Sequence, residues 1–321
     1  MRKLVRYLFT FFTVTTIVFF LPRGMSGDPF DYLSDNPTGD VHIVLTPEQK
    51  QALREYYGLD DPLLVQYSSY ISRLARFDLG VSIYYKQSVN RLIASRLPWT
   101  LLLVSSGSIL SIFASVLLGV NSAWRKNQVF DRIILGLSLV VSRIPSFLVA
   151  VGLIIWLSGT YGIPFGGAYT PYAEYTGFLD YIGDVLIHLF LPVSAFFVST
   201  VSDYYLVVRN GMIDSLEKPF ILTAQAKGLH NRRIKYMHAF RASLLPFTTY
   251  FFTRLGFLIG GVIFIESVFA YPGVGSLISE AVINRDYPLM EGLFFFLSLT
   301  VILSNLSADQ MYQWIDPRVN Q

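Results

Sequence analysis

The chain has 321 residues, 53% of them hydrophobic and only 15% charged, with a mean hydropathy of +0.47. Its net charge of +3 is too small to point to nucleic acid, and a sequence without cysteine excludes disulfide frameworks, thiolate catalysis and Cys-ligated metal sites. Four histidines (His42, His188, His230, His238) are scattered with no metal-ligand spacing.

The apolar residues come in blocks of about the 20 residues needed to cross a bilayer. The first, Leu4–Leu21, follows Arg2, Lys3 and Arg6 and ends at Pro22-Arg23-Gly24-Met25 without a small-x-small cleavage pattern. A retained helix is therefore expected rather than a secretory signal. Residues 23–99 are too long for a simple connection and predict an external subdomain. Within it Thr46-Pro47-Glu48-Gln49 predicts a capped helix start, with Gly58 at the stop. A second helix after Asp61-Pro62 would carry Leu64, Tyr67, Ile71 and Leu74 on one face. Val89, Leu92, Ile93 and Leu97, interleaved with Arg91 and Arg96, suggest an amphipathic segment at the membrane surface or a further helix of the subdomain.

Five more blocks follow: Thr100–Ala123, Ile133–Leu157, Val185–Val208, Leu244–Phe269 and Pro288–Ala308. Lysine and arginine concentrate in the short loops that would face the cytoplasm if the N-terminus does, above all between Arg209 and Arg241, which sets both termini inside. There is no GxxxxGK[ST] phosphate loop, and Gly273-Val274-Gly275 lacks the strand and third glycine of a dinucleotide site. No cofactor is expected on this chain, and any ATP would be bound by another polypeptide.

The stretch Glu217–Pro246 is the most informative. Small residues precede Gly228 between two short helical patterns, the second carrying Arg232, Arg233, Lys235 and Arg241. This suits a short helix with a glycine bend projecting toward a partner, or merely a basic inside loop. Thr223-Ala224-Gln225-Ala226-Lys227-Gly228 followed by Leu245-Pro246 resembles the "EAA" loop of binding-protein-dependent ABC importer permeases. Gly27-Asp28-Pro29, Tyr57-Gly58-Leu59-Asp60-x-Pro62 with Gln66-Tyr67, and Asp78-Leu79-Gly80-x-Ser82 resemble the peptide/nickel branch of that family. So do Arg96-Leu97-Pro98-x-Thr100-Leu101, Glu266-Ser267-Val268-Phe269-x-x-Pro272-Gly273-Val274-Gly275, Arg285-Asp286-x-Pro288 and the tail Asp309-x-x-Tyr312-x-x-x-Asp316-Pro317-Arg318. The pattern departs from the family at Pro219-Phe220 and Gln225, which bears on the geometry of the loop.

The resemblance implies an all-α integral membrane protein: six transmembrane helices in the MetI-like importer-permease fold, with an external subdomain between helices 1 and 2. It divides the chain into a first helix (1–22), the subdomain and interfacial helix (23–99), a permease core (100–308) containing a cytoplasmic coupling loop (214–246), and a tail (309–321). The implied partners are a second homologous permease, two cytoplasmic ATPases carrying ATP and Mg, an external substrate-binding protein and the lipid bilayer, with no nucleic acid. Ala224, Ala226, Lys227, Gly228 and Leu229 would touch the ATPase. The cargo would be peptides or, in the same architecture, oligosaccharides or nickel; a secondary transporter is disfavoured by the absence of paired interrupted helices in two similar halves. No nucleophile–base or metal constellation at membrane depth points to an enzyme.

Two arginines fall within predicted spans, where a charge costs roughly 2.5–3.5 kcal/mol at a helix centre. Arg254 either lines the pathway or forms a structural pair. Glu266, twelve residues on and roughly 18 Å along the helix, is too distant, so a partner must come from another span. Arg143, nearer a span end and able to snorkel, reads as structural, with a pathway role as the alternative. Glu266, Pro272 and Gly273 mark a helix break near the outer face, either a gate or a simple turn. His188 reads as a hydrogen-bonded interior residue.

Overall fold

The computed structural model describes residues 2–25, 29–30 and 45–315. Gly27-Asp28, His42 and the motif residues from Asp316 onward lie outside the described residues. The chain forms two compact units, residues 1–98 with 273–302 and residues 99–272 with 303–321.

In the first unit, helix α1 (Arg2–Arg23) is followed by α2 (Pro47–Tyr56) and α3 (Leu63–Ala75). The predicted capping box is present: Gln49 N–H donates to Thr46 Oγ1 and the Gln49 side chain accepts from Thr46 N–H. Gly58 stops α2 with a left-handed φ of +64°. On α3 the buried face is Tyr67, Tyr70, Ile71 and Leu74, which packs on Phe19 of α1 and Phe295. Leu64 is 83% exposed, contrary to expectation, and stands outside that core. Residues 89–97 are not a separate helix. They open α4 (Val89–Trp124), and Val89, Leu92 and Ile93 are buried in protein. The unit also holds α11 (Val274–Ile283) and the start of α12 (Tyr287–Ile315). Between them Asp286 accepts from Ser82 Oγ at 2.5 Å and from the Tyr84 and Leu289 N–H groups at 2.9 and 3.1 Å. Burial pushes its carboxyl above the usual range, and these donors pull it back only in part.

In the second unit the block predicted as one span, Ile133–Leu157, is broken. Helix α5 (Val129–Val141) meets α6 (Ser146–Tyr161) at 99°. Pro145 has no N–H to continue the helix and disfavours helical geometry at Ile144, so the apolar run does not stay straight. Helix α7 (Phe178–Leu216) far exceeds its predicted Val185–Val208. After α8 (Pro219–Ala226), a short turn of helix and a π-helical stretch Ile234–Phe240 lead into α9 (Arg241–Gly261). Leu245-Pro246 therefore lies inside α9. Helix α10 (Ile263–Val268) follows.

One apolar core joins Leu103 of α4, Ala150 of α6, Leu191 and Phe196 of α7 and Ile265 of α10. A second gathers Val120, Tyr204, Val208 and Met212 beneath Ile221 and Ala224 of α8. Gly107 admits Phe196 so closely that a Cβ there would sit 2.4 Å from its ring. Among the described residues, α4, α7 and α12 are long and apolar enough to cross a membrane, with α5–α6 a fourth if the bent pair is one span.

Candidate functional site

Three arrangements in the second unit carry the site, beginning with the basic loop. Pro219 opens α8 at a position where a missing N–H is harmless. Gly228 closes it at φ +67°, with its N–H on Gln225 O at 2.9 Å and Leu229 N–H on Ala224 O at 3.3 Å. That paired pattern is the Schellman termination, which needs a residue content in left-handed geometry at Gly228 and an apolar residue after it. Leu229 supplies the second by packing against the core that contains Ala224. Of the five residues assigned to partner contact, Ala224 is buried at 4% exposure and Leu229 is partly buried, so these two anchor the helix from inside. Ala226, Lys227 and Gly228 are exposed, as are Phe220 and Leu222. The sequence motif alone did not distinguish its inward from its outward residues.

Beneath the loop lies a buried polar clamp that sequence reasoning missed. Asp131 of α5, 1% exposed, receives Arg209 of α7 through two bonds, Nε at 2.7 Å and Nη2 at 2.8 Å. Ser122 Oγ donates to the same carboxylate at 2.5 Å and Asn127 N–H at 2.9 Å. Because the Ser122 proton is committed, the Tyr205 hydroxyl, 2.7 Å away, donates to Ser122. Lys235 adds a bond from the π-helical stretch to Asn121 of α4 at 2.6 Å, and Lys126 pairs with Glu217 at 2.8 Å. The ends of α4, α5 and α7 are thus cross-tied to the loop that α8 belongs to. In the sequence Arg209 reads only as a topology charge, and the signal for its partner is Asp131 standing in the first turn of an apolar helix.

The third arrangement is Arg254. Its Nη2 lies 3.1 Å from Asp203 Oδ2 of α7, and its guanidinium sits 5.2 Å from the Tyr250 ring centroid. The partner comes from another span, as expected. Both side chains stay open, 47% and 36% exposed. A cavity of ≈490 Å³ adjoins α9, lined by Leu245, Pro246, Thr249, Tyr250 and Thr253.

The remaining predicted residues fall elsewhere. Glu266 is fully buried and accepts from Thr100 Oγ1 at 2.7 Å, tying α10 to α4. Pro272 and Gly273 follow the turn that Ala270 enters at φ +45°. Arg143 is exposed in the turn between α5 and α6. His188 is buried with Nδ1 2.9 Å from Asp184 O, an interior hydrogen-bonded residue as predicted. Among the described residues no group of His, Asp and Glu could hold a metal ion.

Residues 115–321 match the family described as binding-protein-dependent transport system inner membrane component. The chain is 34% identical over 309 residues to a Brucella suis protein named as a peptide permease, covering 95% of this chain and 93% of the other. It is 33% identical over 312 residues to the oligopeptide transport system permease protein AppB of Bacillus subtilis, covering 95% and 94%. It is also 33% identical over 321 residues to the oligopeptide transport system permease protein OppB of Escherichia coli, covering 99% and 98%.

Proposed function

The chain belongs to the family of binding-protein-dependent transport system inner membrane components, a multi-pass membrane protein, and on that premise we propose that it is one permease subunit of an ATP-driven peptide importer. The single observation that carries the reading is the glycine-terminated helix α8, seated on the core by Ile221 and Ala224 while Leu222, Ala226 and Lys227 face outward. A short helix anchored on one face, with Phe220 and Leu222 exposed on the other, suits insertion into a groove of a second protein. That protein is a cytoplasmic ATPase holding ATP and Mg, since this sequence has no phosphate loop.

In this reading α1, α4, the bent pair α5–α6, α7, α9 and α12 make six spans, and both termini are cytoplasmic. The segment 23–99 faces outward, where a substrate-binding protein docks. A second homologous permease completes the pathway, and two ATPases engage the two coupling loops. Closing of the ATPases on ATP draws the loops together, and the cross-ties at Asp131, Lys126 and Lys235 pass that displacement to α4, α5 and α7. The face bearing Asp203 and Arg254 lines the pathway; the turn at Pro272-Gly273 acts at its outer end. Peptide is preferred over oligosaccharide or nickel because the named relatives are peptide permeases.

The test is reconstitution with the partner subunits in proteoliposomes. Peptide uptake should require both ATP and the binding protein. Uptake by the purified chain alone would refute the reading.

A further inference from the structure

Most of the exposed surface along α4 and α5 is hydrocarbon: Leu101, Ile109, Phe113, Ile133, Leu137 and Val140 all stand open, as lipid-facing side chains should. Helix α9 differs. Thr249, Tyr250, Thr253 and Arg254 recur at helical spacing on one side, exposed or half-buried, and Asp203 of α7 joins them. A charged and hydroxylated stripe at membrane depth is tolerated where it meets water or protein rather than lipid.

The two Asp–Arg pairs of this unit differ in a way that assigns them different tasks. Asp131–Arg209 is bidentate and closed off. Asp203–Arg254 meets through one Arg254 nitrogen at 3.1 Å and leaves nearly half the arginine side chain exposed, next in sequence to Thr253, which lines the cavity of ≈490 Å³. A guanidinium presents a planar fork of donors matched to a carboxylate, so its exposed part can donate to a second one. Asp203 neutralises the arginine when nothing else is bound, and an arriving carboxylate must displace or share that contact. Such competition keeps binding weak enough for release.

We infer that Arg254, poised by Asp203, is a carboxylate-exchange site for the peptide as it passes, so that the pathway itself favours cargo with a free carboxylate. This rests on the peptide-importer reading. The carboxylate could be the C-terminus of the peptide or an acidic side chain, and the two sources are separable.

The experiment uses the complete reconstituted transporter and three probes: a neutral peptide as free acid, the same peptide C-terminally amidated, and an amidated peptide carrying one glutamate. Arg254→Gln should lower uptake of the free acid about tenfold relative to the amidated form, as loss of a charge-assisted hydrogen bond predicts. Arg254→Lys, which keeps charge without the fork, should fall between. If the glutamate probe loses uptake alongside the free acid, any carboxylate serves; if it does not, the site reads the terminus. Because a lone Asp203 could destabilise the chain, the double variant Asp203→Asn/Arg254→Gln removes both charges, and it should lose the same preference at normal expression. An unchanged ratio of free acid to amide in both the single and the double variant would overturn the proposal and leave a purely structural pair. Failure of the wild-type complex to move any of the peptides would instead refute the importer reading.

Discussion

Replacing Asp131 by asparagine preserves shape and removes one charge from the most enclosed ion pair in the second unit. The carboxylate is 1% exposed and the Arg209 side chain 10%, so the substitution leaves a guanidinium with little water to replace its partner. Removing one member of a buried pair costs about 3–5 kcal/mol, well above the 0–1 kcal/mol of a surface pair. Ser122 and Tyr205 add to the loss, since the hydroxyl relay from Tyr205 through Ser122 ends on the same carboxylate. Ser122→Ala should cost less, about 1.5–3 kcal/mol for one hydrogen bond to a charged group. The double variant Asp131→Asn/Arg209→Gln should recover part of the loss, with a coupling of up to about 3 kcal/mol. Unfolding by sodium dodecyl sulfate titration in mixed micelles, followed by tryptophan fluorescence, measures the wild type, Asp131→Asn, Arg209→Gln, Ser122→Ala and the double variant. Losses that add within about 0.5 kcal/mol would refute the clamp, because additivity means the two residues do not act on one another.

Gly228→Val should insert and fold while losing ATP-coupled uptake; a Cβ there meets no neighbouring atom, so the effect comes from about 1–2 kcal/mol of left-handed strain at the end of α8. Gly228→Asn, which tolerates that geometry, should retain more uptake, and equal loss in both would point away from strain. Gly107→Ala should destabilise the chain by about 1–3 kcal/mol through its clash with Phe196, read by the same detergent titration, and Phe196→Leu in combination should relieve it. Burial, reinforced by the Asp286 charge, pushes the Tyr57 hydroxyl from 10.0 up to about 12. A folded value above the unfolded one means stability is intact below pH 10.0 and declines as pH rises toward about 12. Tyr57→Phe should flatten that alkaline limb in a melting-temperature series, while Tyr85, also raised by burial and by its bond to Glu280, retains its share.

Features decided by a few neighbouring residues were legible in the sequence. Thr46 and Gln49 cap α2 because the reciprocal bonds span only three positions, and Gly58 and Gly228 end their helices because each must adopt positive φ. Pairings across the fold were not. That Arg254 required a partner from another span follows from the cost of a charge in lipid, but choosing Asp203 needs the packing of α7 against α9. Asp131 and Arg209 are farther apart in sequence and neither stands in a motif. The break at Pro145 had a visible cause, yet the apolar run on both sides of it hid the bend. Ala224 illustrates a different limit: a short motif states which residues recur, whereas their inward or outward direction depends on the core they pack against.

Helix α7 runs unbroken through 39 residues, about 58 Å of rod where the hydrocarbon layer is about 30 Å. A rod of that length is a lever. Were it to pivot about one end by only about 5°, the opposite tip would sweep about 5 Å, roughly one helical turn. Asp203 and Arg209 both lie on the part beyond Pro192, so a small push at the Leu216 end need not be relayed contact by contact to reach Asp203. Stiffness alone would deliver it.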